Sequence, residues 1–258
     1  RFAGGVPVLV PTWEKDDFKL TVEELEKKVT PKTKVLLIGY PNNPTGTVMD
    51  RASLEAVAEF AKAHDLIVIS DEIYCDLTYE GEHTCVASLP GMKERTIVLN
   101  GFSKSYAMTG LRVGYLCAPK EAVDSIYKVH QYAILCASAT SQYGAIAALQ
   151  SCDEDVHAMY EEYAARRLMV YEGLKKIGLS VFEPKGAFYI FPDITCTGMN
   201  DEEFSEQLLK EEKVGVVPGS CFGEQGRGHV RISYAASREN LAEALVRIGR
   251  FVERHRKS

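Results

Sequence analysis

The sequence predicts an α/β fold with a doubly wound, mostly parallel sheet, followed by a smaller α+β domain at the C-terminal end. Two observations predict it. In the first half of the 258 residues, short apolar runs of strand length alternate with amphipathic stretches of helical length, which is typical of a parallel sheet with crossover helices. After Gly178 the apolar runs become shorter and alternate with two helical patterns, which is typical of an α+β domain.

The first half contains strand-like and helix-like patterns in turn. Strands are predicted at residues 6–10, 35–40, 66–70 and 113–117, and an apolar run at 96–99 precedes a glycine turn. Helices are predicted at residues 20–29 and 51–64. Thr21 and Glu24 open the first helix in a capping-box arrangement. The runs at 35–40 and 66–70 are continuously apolar, so we expect strands that are buried in a parallel sheet.

The second half begins with a long helical region. Helices are predicted over most of residues 121–174, with an interruption near Asp153. Short strands follow at residues 180–182, 187–191, 214–217 and 230–234, and helices at 201–211 and 238–254. We therefore predict a large domain over residues 1–140, a linking helix over 141–175 and a small domain over 176–258.

Composition excludes several classes of function. The formal net charge of -6, with 26% charged residues, is unlike a nucleic-acid-binding surface, which needs clustered Lys and Arg. The basic run at residues 247–257 has apolar residues at helical spacing, which indicates the solvated face of a last helix. No apolar run approaches the ~20 residues of a membrane span. The seven cysteines are scattered without a CxxC pair, which argues against a zinc site and favours a reducing cytoplasm.

Three polar residues follow closely on predicted strands, namely Asn43, Asp71 and Lys104. Ligands of such sheets lie beyond the carboxyl ends of the strands, so we expect these side chains to converge on one crevice. Lys104 lies between two serines and has no acidic neighbour in sequence. This setting favours a neutral amine, a nucleophile that forms a Schiff base with an aldehyde. The alternative is an ordinary solvated lysine.

Three segments of the chain together resemble a known family. They are Tyr-Pro-Asn-Asn-Pro-Thr-Gly at residues 40–46, Ser-Asp-Glu-Ile-Tyr at 70–74, and the run at 101–114 that begins Gly-Phe-Ser-Lys and ends Arg-Val-Gly. In order and spacing they are similar to the motifs of the class I and II aminotransferases, which belong to the aspartate aminotransferase superfamily of fold type I. The resemblance extends over essentially the whole chain, and it implies the cofactor pyridoxal 5'-phosphate.

The resemblance also implies roles for individual residues. Lys104 carries the cofactor as a Schiff base and moves the α-proton of the substrate, as general base and then acid. Asp71 pairs with the ring nitrogen of the cofactor, so that the ring can accept electrons. Asn43 and Tyr74 bind its phenolic oxygen, and by likeness Ile73 packs against one face of the ring. Without the resemblance, the alternative for Asp71 is a helix cap, for Asn43 a turn residue and for Tyr74 a half-buried aromatic.

Three further residues are implied in binding phosphate and substrate. Arg112 offers a planar fork of donors for the phosphate, and Ser103 offers a hydroxyl. Gly101 departs from the pattern, since some relatives have a phosphate-binding serine there. Arg231 matches the family arginine that holds the substrate α-carboxylate, with Asn43 also on the substrate side. An arginine in a strand is otherwise most often a surface residue.

The implied activity is transfer of an amino group between an L-amino acid and a 2-oxo acid, with ping-pong kinetics. Family members are usually homodimers with shared active sites. Compared with them, the chain lacks the N-terminal arm and the early large domain, so we expect a partial large domain that alone binds cofactor weakly or not at all. Two alternatives stay open: a lyase or synthase that uses the same cofactor and fold, and the ligand-sensing domain of a transcription regulator.

Overall fold

The computed structural model describes residues 2–257, which form two compact units. Unit 1 comprises the described residues up to Tyr40 together with Met49–Ile73 and Glu82–Ala145. Unit 2 comprises Pro41–Val48, Tyr74–Gly81 and the described residues from Ile146 onward. Each unit has its own hydrophobic core. The predicted boundaries at 140 and 175, and the linking role of the helix between them, stay predictions.

Unit 1 is built on a four-stranded sheet. Its strands are β1 (Val35–Gly39), β2 (Ile67–Asp71), β3 (Thr96–Gly101) and β4 (Gly114–Cys117), in the order β1-β2-β3-β4. The first three are parallel, and β4 is antiparallel to β3. The helices α1 (Val22–Glu26), α2 (Arg51–Ala63) and α3 (Lys120–Ala133) belong to this unit, and α4 (Ala139–Ser151) spans the division. The predicted α/β class with a mostly parallel sheet is confirmed.

The helix α2 covers one face of this sheet. It begins after Asp50, whose carboxylate accepts a hydrogen bond from Ser53 N at 2.9 Å. Its buried residues recur at helical spacing and form one core with the inward residues of the strands. Those on the helix are Leu54, Val57, Ala58 and Ala61, and those on the strands are Leu36, Ile38 and Val68.

The opposite face of the sheet is exposed. Val35, Leu37 and Ile67 have 46%, 68% and 47% of their surface accessible, so β1 and β2 alternate between buried and exposed residues. The expectation of strands buried along their whole length is therefore wrong for these two strands. A continuous apolar run is compatible with burial on both faces of a sheet. Burial of the second face also requires other elements that pack against it.

Four predicted elements of the chain differ in the structure, and one of them is the strand at 214–217, of which only Val217 lies in a strand. Residues 6–10 form no strand, because an extended segment without a partner strand gains no ladder hydrogen bonds. Val6, Val8 and Leu9 of this segment are exposed. The predicted helix at 20–29 is reduced to the short α1, although the Thr21 hydroxyl does accept from Glu24 N at 3.4 Å. Residues 180–182 contribute one isolated bridge, between Ser180 and Asp193.

Unit 2 has a small antiparallel sheet against three helices. The strands β5 (Tyr189–Ile190), β6 (Val217–Pro218) and β7 (Val230–Ser233) lie in the order β5-β7-β6. The helices are α5 (Asp153–Ile177), α6 (Asp201–Glu212) and α7 (Arg238–His255). Cys152 lies between α4 and α5, which confirms the predicted interruption near Asp153.

The basic face of α7, predicted to be solvated, also forms ion pairs with α6. Arg250 and Arg254 each donate to the buried carboxylate of Glu212 at 2.7 Å, so the two arginines join α6 to α7. Among the described residues no helix has the length and apolar character needed to cross a membrane. All seven cysteines are free thiols.

Candidate active site

Asp71 is the last residue of β2 in unit 1. It lies between Gly39 of β1 and Leu99 of β3 in the register of the sheet, at the carboxyl edge of the three parallel strands. Its Oδ1 accepts a hydrogen bond from Ile73 N at 3.2 Å, and the side chain is half-buried. The parallel strands thus hold a carboxylate at the edge where such sheets bind ligands.

The segment that carries Lys104 connects β3 to β4. Gly101 and Gly114 face each other in the register, and a Cβ added at Gly101 meets Gly114 Cα at 2.8 Å and Val113 O at 3.1 Å. This close approach explains the departure at Gly101, because a serine there forces the two strands apart. The phosphate-binding hydroxyl of some relatives has no room at this position.

Lys104 and Ser103 lie in the turn that follows β3, and both are half-buried. The carbonyl of Lys104 accepts from Ala107 N at 3.2 Å, and Ala107 has a φ of 52°, in the left-handed region. Ser105 is buried at 2% exposure, and its hydroxyl has no hydrogen-bond partner within the described part of the chain. A buried hydroxyl without a partner lowers the stability of the fold. The Ser105 hydroxyl is therefore a candidate hydrogen-bond donor to a ligand beside the lysine.

Arg112 ends the same segment with an exposed guanidinium. Its backbone is also left-handed, with a φ of 51°, and its Nη1 donates to Thr109 O at 2.8 Å. The buried hydroxyl of Ser141 donates to the carbonyl of Leu111, so the start of α4 holds this segment from the other side. Left-handed conformations of non-glycine residues cost free energy and are found preferentially at functional sites.

The unit 1 residues fit pyridoxal phosphate in the chemistry of their donors. An amine for an aldehyde, a guanidinium and hydroxyls for a phosphate, and a carboxylate for a ring nitrogen all occur within one unit. They are Lys104, Arg112, Ser103 and Asp71, with the unpartnered hydroxyl of Ser105 as a further donor.

Arg231 lies in β7 of unit 2 and is fixed on several sides. Its Nη1 donates to Asn43 Oδ1 at 2.8 Å, and its Cζ lies 4.5 Å from the ring centroid of Tyr189 and 5.0 Å from that of Phe222. Its Nε is buried and has no hydrogen-bond partner in the described residues. A guanidinium held in this way keeps donors for a carboxylate, the group that its fork geometry matches best.

The loop that carries Asn43 is tightly packed. Asn42 N donates to Thr47 O at 2.8 Å, and the Thr45 hydroxyl donates to Asn42 Oδ1 at 3.0 Å. Gly46 has a φ of 73°, and a Cβ there overlaps with Pro184 Cβ. Only glycine fits this turn, and the turn fixes Asn43 opposite Arg231.

Tyr74 also lies in unit 2 and is buried at 6% exposure. Its hydroxyl is 3.0 Å from the hydroxyl of Tyr189, and the two rings are edge to face with centroids 5.9 Å apart. Phe188 packs edge-on against Tyr74 at 5.4 Å. The burial of Tyr74 is greater than the half-buried alternative predicts.

The structure therefore joins some of the predicted residues directly. Asn43 is hydrogen-bonded to Arg231. Tyr74 is hydrogen-bonded to Tyr189, and the ring of Tyr189 contacts the Arg231 guanidinium. Asp71, Ser103, Lys104 and Arg112 belong to unit 1. That the unit 1 residues and the unit 2 residues converge on one crevice stays a prediction.

Sequence reasoning missed residues that support the unit 2 set. Tyr189 and Phe222 contact Arg231, and Arg167 of α5 is buried, with its Nη1 2.8 Å from both Glu80 Oε1 and the Pro184 carbonyl. The sequence at residues 184–189 resembles a family segment of the small domain, and this resemblance is the signal that points to Tyr189. No signal in the sequence points to Arg167, because a helical arginine usually lies on the surface.

The donors at the strand ends of unit 1 are those that a cofactor with an aldehyde and a phosphate requires, and the comparisons with known proteins identify the family. The sequence profile of the family described as aminotransferase class I and II matches residues 1–248. The chain belongs to this family, whose members depend on pyridoxal phosphate.

Similar proteins include two with substrate-based names. The chain is 50% identical over 249 residues to the aromatic-amino-acid aminotransferase 2 of Thermococcus litoralis, with 95% of this chain and 64% of that protein covered. It is 51% identical over 251 residues to the aspartate aminotransferase of Pyrococcus abyssi, covering 95% and 64%. The crystal structure of an aromatic aminotransferase from Pyrococcus horikoshii superposes with a TM-score of 0.96 at 49% identity, covering 98% of this chain and 68% of that one. The chain thus spans 64% of the length of these two curated relatives.

Proposed function

We propose that the protein is an aminotransferase that moves an amino group between an L-amino acid and a 2-oxo acid with bound pyridoxal 5'-phosphate. The amino-acid substrates belong to the broad group of aspartate, alanine and aromatic amino acids. The family membership of the chain and the names of its relatives support transfer of an amino group.

Unit 1 supplies the residues that would hold the cofactor. Lys104 Nζ would hold its aldehyde, Asp71 its ring nitrogen, and Arg112 and Ser103 its phosphate. When bound, the cofactor supplies a ring that accepts the electron pair released at the α-carbon of the substrate. Asp71 keeps the ring nitrogen protonated, and this raises the capacity of the ring to accept electrons.

Lys104 is proposed to carry the proton. Its amine would take the α-proton from the bound amino acid and return a proton at the former carbonyl carbon of the cofactor, acting first as base and then as acid. The product 2-oxo acid leaves before the second 2-oxo acid binds, so the kinetics are ping-pong. The Asn43 amide and the Tyr74 hydroxyl would bind the phenolic oxygen of the cofactor.

Arg231 is the proposed receptor of the α-carboxylate. One observation carries this proposal: a guanidinium that is bonded to Asn43, packed against two aromatic rings, and left with a buried Nε that has no hydrogen-bond partner in the described residues. A substrate carboxylate would supply the missing acceptor, and the fixed guanidinium would orient the α-carbon. The site would bind amino acids and oxo acids alike, since both carry the carboxylate.

We also place the reaction in the cytoplasm, because an odd number of free cysteines favours a reducing compartment, and in a homodimer, as is usual in the family. A lyase that uses the same cofactor releases pyruvate and ammonia rather than consuming a 2-oxo acid. An assay for both products distinguishes it from a transaminase.

The test is a titration of pyridoxal phosphate into the whole protein and into its Lys104→Ala variant. We expect the unsubstituted protein to acquire a visible absorbance band and the variant to lack it. Transamination should fall about 100- to 10,000-fold in the variant, because general acid–base catalysis typically contributes 10²–10⁴-fold. Lys93→Ala removes an exposed lysine of the same unit and should change neither result. A band that survives in Lys104→Ala would end the proposal.

A further inference from the structure

Tyr189 makes two polar contacts that lie on opposite parts of its side chain. Its hydroxyl is 3.0 Å from the hydroxyl of Tyr74, and its ring centroid is 4.5 Å from Arg231 Cζ. The residue is 7% exposed, so both contacts are largely shielded from water. Phenol–phenol hydrogen bonds and cation–π contacts are stronger in such surroundings than at an exposed site.

We propose that Tyr189 is a positioning residue that holds the Arg231 guanidinium with its ring and the Tyr74 hydroxyl with its own hydroxyl. The inference rests on the proposed function, in which Arg231 binds the substrate carboxylate and Tyr74 binds the phenolic oxygen of the cofactor. One side chain then sets the geometry of both groups. Neither role requires Tyr189 to touch the reacting atoms.

The backbone around Tyr189 is itself firmly held. Ala187 has a φ of 56°, and its carbonyl accepts hydrogen bonds from the hydroxyls of Tyr79 and Tyr234. Tyr189 opens β5, where it pairs with Ser233 of β7. Since Arg231 is two residues before Ser233 on the same strand, the ring and the guanidinium belong to neighbouring strands of one sheet.

The two halves of the Tyr189 side chain have separable effects. When the Tyr189 hydroxyl donates to Tyr74 Oη, it polarises the Tyr74 hydroxyl and makes it a stronger donor to a third oxygen. A stronger donor stabilises an anionic acceptor and lowers the pKa of the chromophore to which that acceptor belongs. The ring, by contrast, acts on the position and charge of Arg231.

Two variants of Tyr189 separate these effects in the holoenzyme. Tyr189→Phe keeps the ring and loses the hydroxyl, so the apparent pKa of the bound cofactor, followed by absorbance against pH, should rise while carboxylate affinity stays nearly constant. Tyr189→Leu also loses the ring, so the Kd for succinate and for hydrocinnamate should rise about 2- to 30-fold, the range that cation–π contacts span. In Tyr189→Leu, KM should therefore rise more than kcat falls, because the ring under Arg231 is lost, whereas in Tyr189→Phe kcat should change more than KM, because only the bond to Tyr74 is lost.

The matched controls are Tyr163→Phe and Tyr163→Leu. Tyr163 stacks on Phe188, with ring centroids 5.4 Å apart, so these variants change the same aromatic cluster but leave the Tyr189 contacts to Arg231 and Tyr74 in place. Thermal unfolding of all four variants separates a loss of fold from a loss of positioning. The control pair should keep the chromophore pKa and the carboxylate Kd of the unsubstituted holoenzyme.

The outcomes separate the two proposals. Should the unsubstituted protein bind the cofactor and transaminate, while the Tyr189 variants match their Tyr163 counterparts in chromophore pKa and carboxylate Kd, the inference about Tyr189 is overturned alone. Should the unsubstituted protein show no cofactor band and no amino transfer, the proposed function fails and the role of Tyr189 fails with it.

Discussion

The two units hold their candidate site residues in different ways. In unit 2, Arg231 is bonded to Asn43 and contacts Tyr189, whose hydroxyl bonds to Tyr74, so side chains fix one another. In unit 1, Asp71 is fixed by its place between two parallel strands, and Arg112 by a left-handed backbone whose side chain bonds back to Thr109.

This difference has a physical consequence. A site fixed by side-chain contacts is sensitive to any substitution that moves one of its members, because packed interiors tolerate little change in volume. A site fixed by strand ends and turns depends on the elements beneath it rather than on its neighbours. Substitutions at matched positions in the two units therefore test the comparison.

The largest effect is expected for Gly46→Ala in unit 2. A Cβ at this position overlaps with Pro184 Cβ and meets Tyr189 O at 2.8 Å, and the φ of 73° is strained for any other residue. The two effects together should lower the free energy of unfolding by about 2–4 kcal/mol, as measured in urea. Carboxylate affinity should fall as well, because the same turn carries Asn43.

The control for Gly46→Ala is Gly110→Ala in unit 1. A Cβ at Gly110 has no atom within 4 Å among the described residues, so stability should change by no more than about 0.5 kcal/mol. Equal unfolding curves for the two variants would show that the turn at Gly46 is looser than the contacts indicate.

Pattern reasoning found most of the elements of the fold and fewer of the contacts within the site. The strands and long helices follow from local periodicity, and the motif residues Asn43 and Arg231 from the family resemblance. Their bond joins residues 188 positions apart, and the bond between Tyr74 and Tyr189 spans 115 positions. No local pattern predicts such pairs.

Exposure is the other property that sequence did not predict. The run at 35–40 is apolar throughout, yet Leu36 is 8% exposed and Leu37 is 68% exposed. Composition determines that a strand forms, whereas the layers packed on each side determine which residues are buried. Arg167 shows the reverse case: this charged helical residue is buried, and its Nη1 donates to Glu80 and to the Pro184 carbonyl.

A smaller effect, dependent on pH, is expected at Glu72 in unit 1. This carboxylate is buried at 4% exposure and accepts from the Ser70 hydroxyl at 3.0 Å and from Val86 N at 3.1 Å, with His83 Nε2 at 2.8 Å. Burial raises the pKa of Glu72, but the hydrogen bonds, led by that of His83, outweigh burial and leave the pKa below its ordinary value of 4.5. Glu72→Gln should cost about 1–3 kcal/mol at neutral pH, because it weakens bonds to a buried charge.

The sign of the pH dependence follows from the lowered pKa. A carboxyl whose pKa is lower in the folded state adds stability above its unfolded pKa and loses it as the pH falls through the folded pKa. Urea unfolding below about pH 4.5 should therefore show a shallower loss of stability in Glu72→Gln than in the unsubstituted protein. Parallel curves would assign the acid transition to other groups.

Glu162 in unit 2 provides the exposed counterpart. Hydrogen bonds from Arg238 and Arg166 lower its pKa to about 2, yet these three side chains are all partly accessible to solvent. Glu162→Gln should change stability little at low salt and not at all at high salt, because counter-ions screen exposed charges.

The smallest effect is expected for Leu37→Thr on the exposed face of β1. Threonine is a good strand former, and with 68% of Leu37 already accessible the substitution should change the free energy of unfolding by less than about 0.5 kcal/mol. The same substitution at the preceding, buried residue, Leu36→Thr, should cost about 2–3 kcal/mol, because it empties part of the core and buries a hydroxyl. A similar large cost at both positions would show that the second face of the unit 1 sheet is covered in solution. In that case the strand ends that carry Asp71 would be fixed from both sides, and the contrast between the two units would narrow to their side-chain contacts.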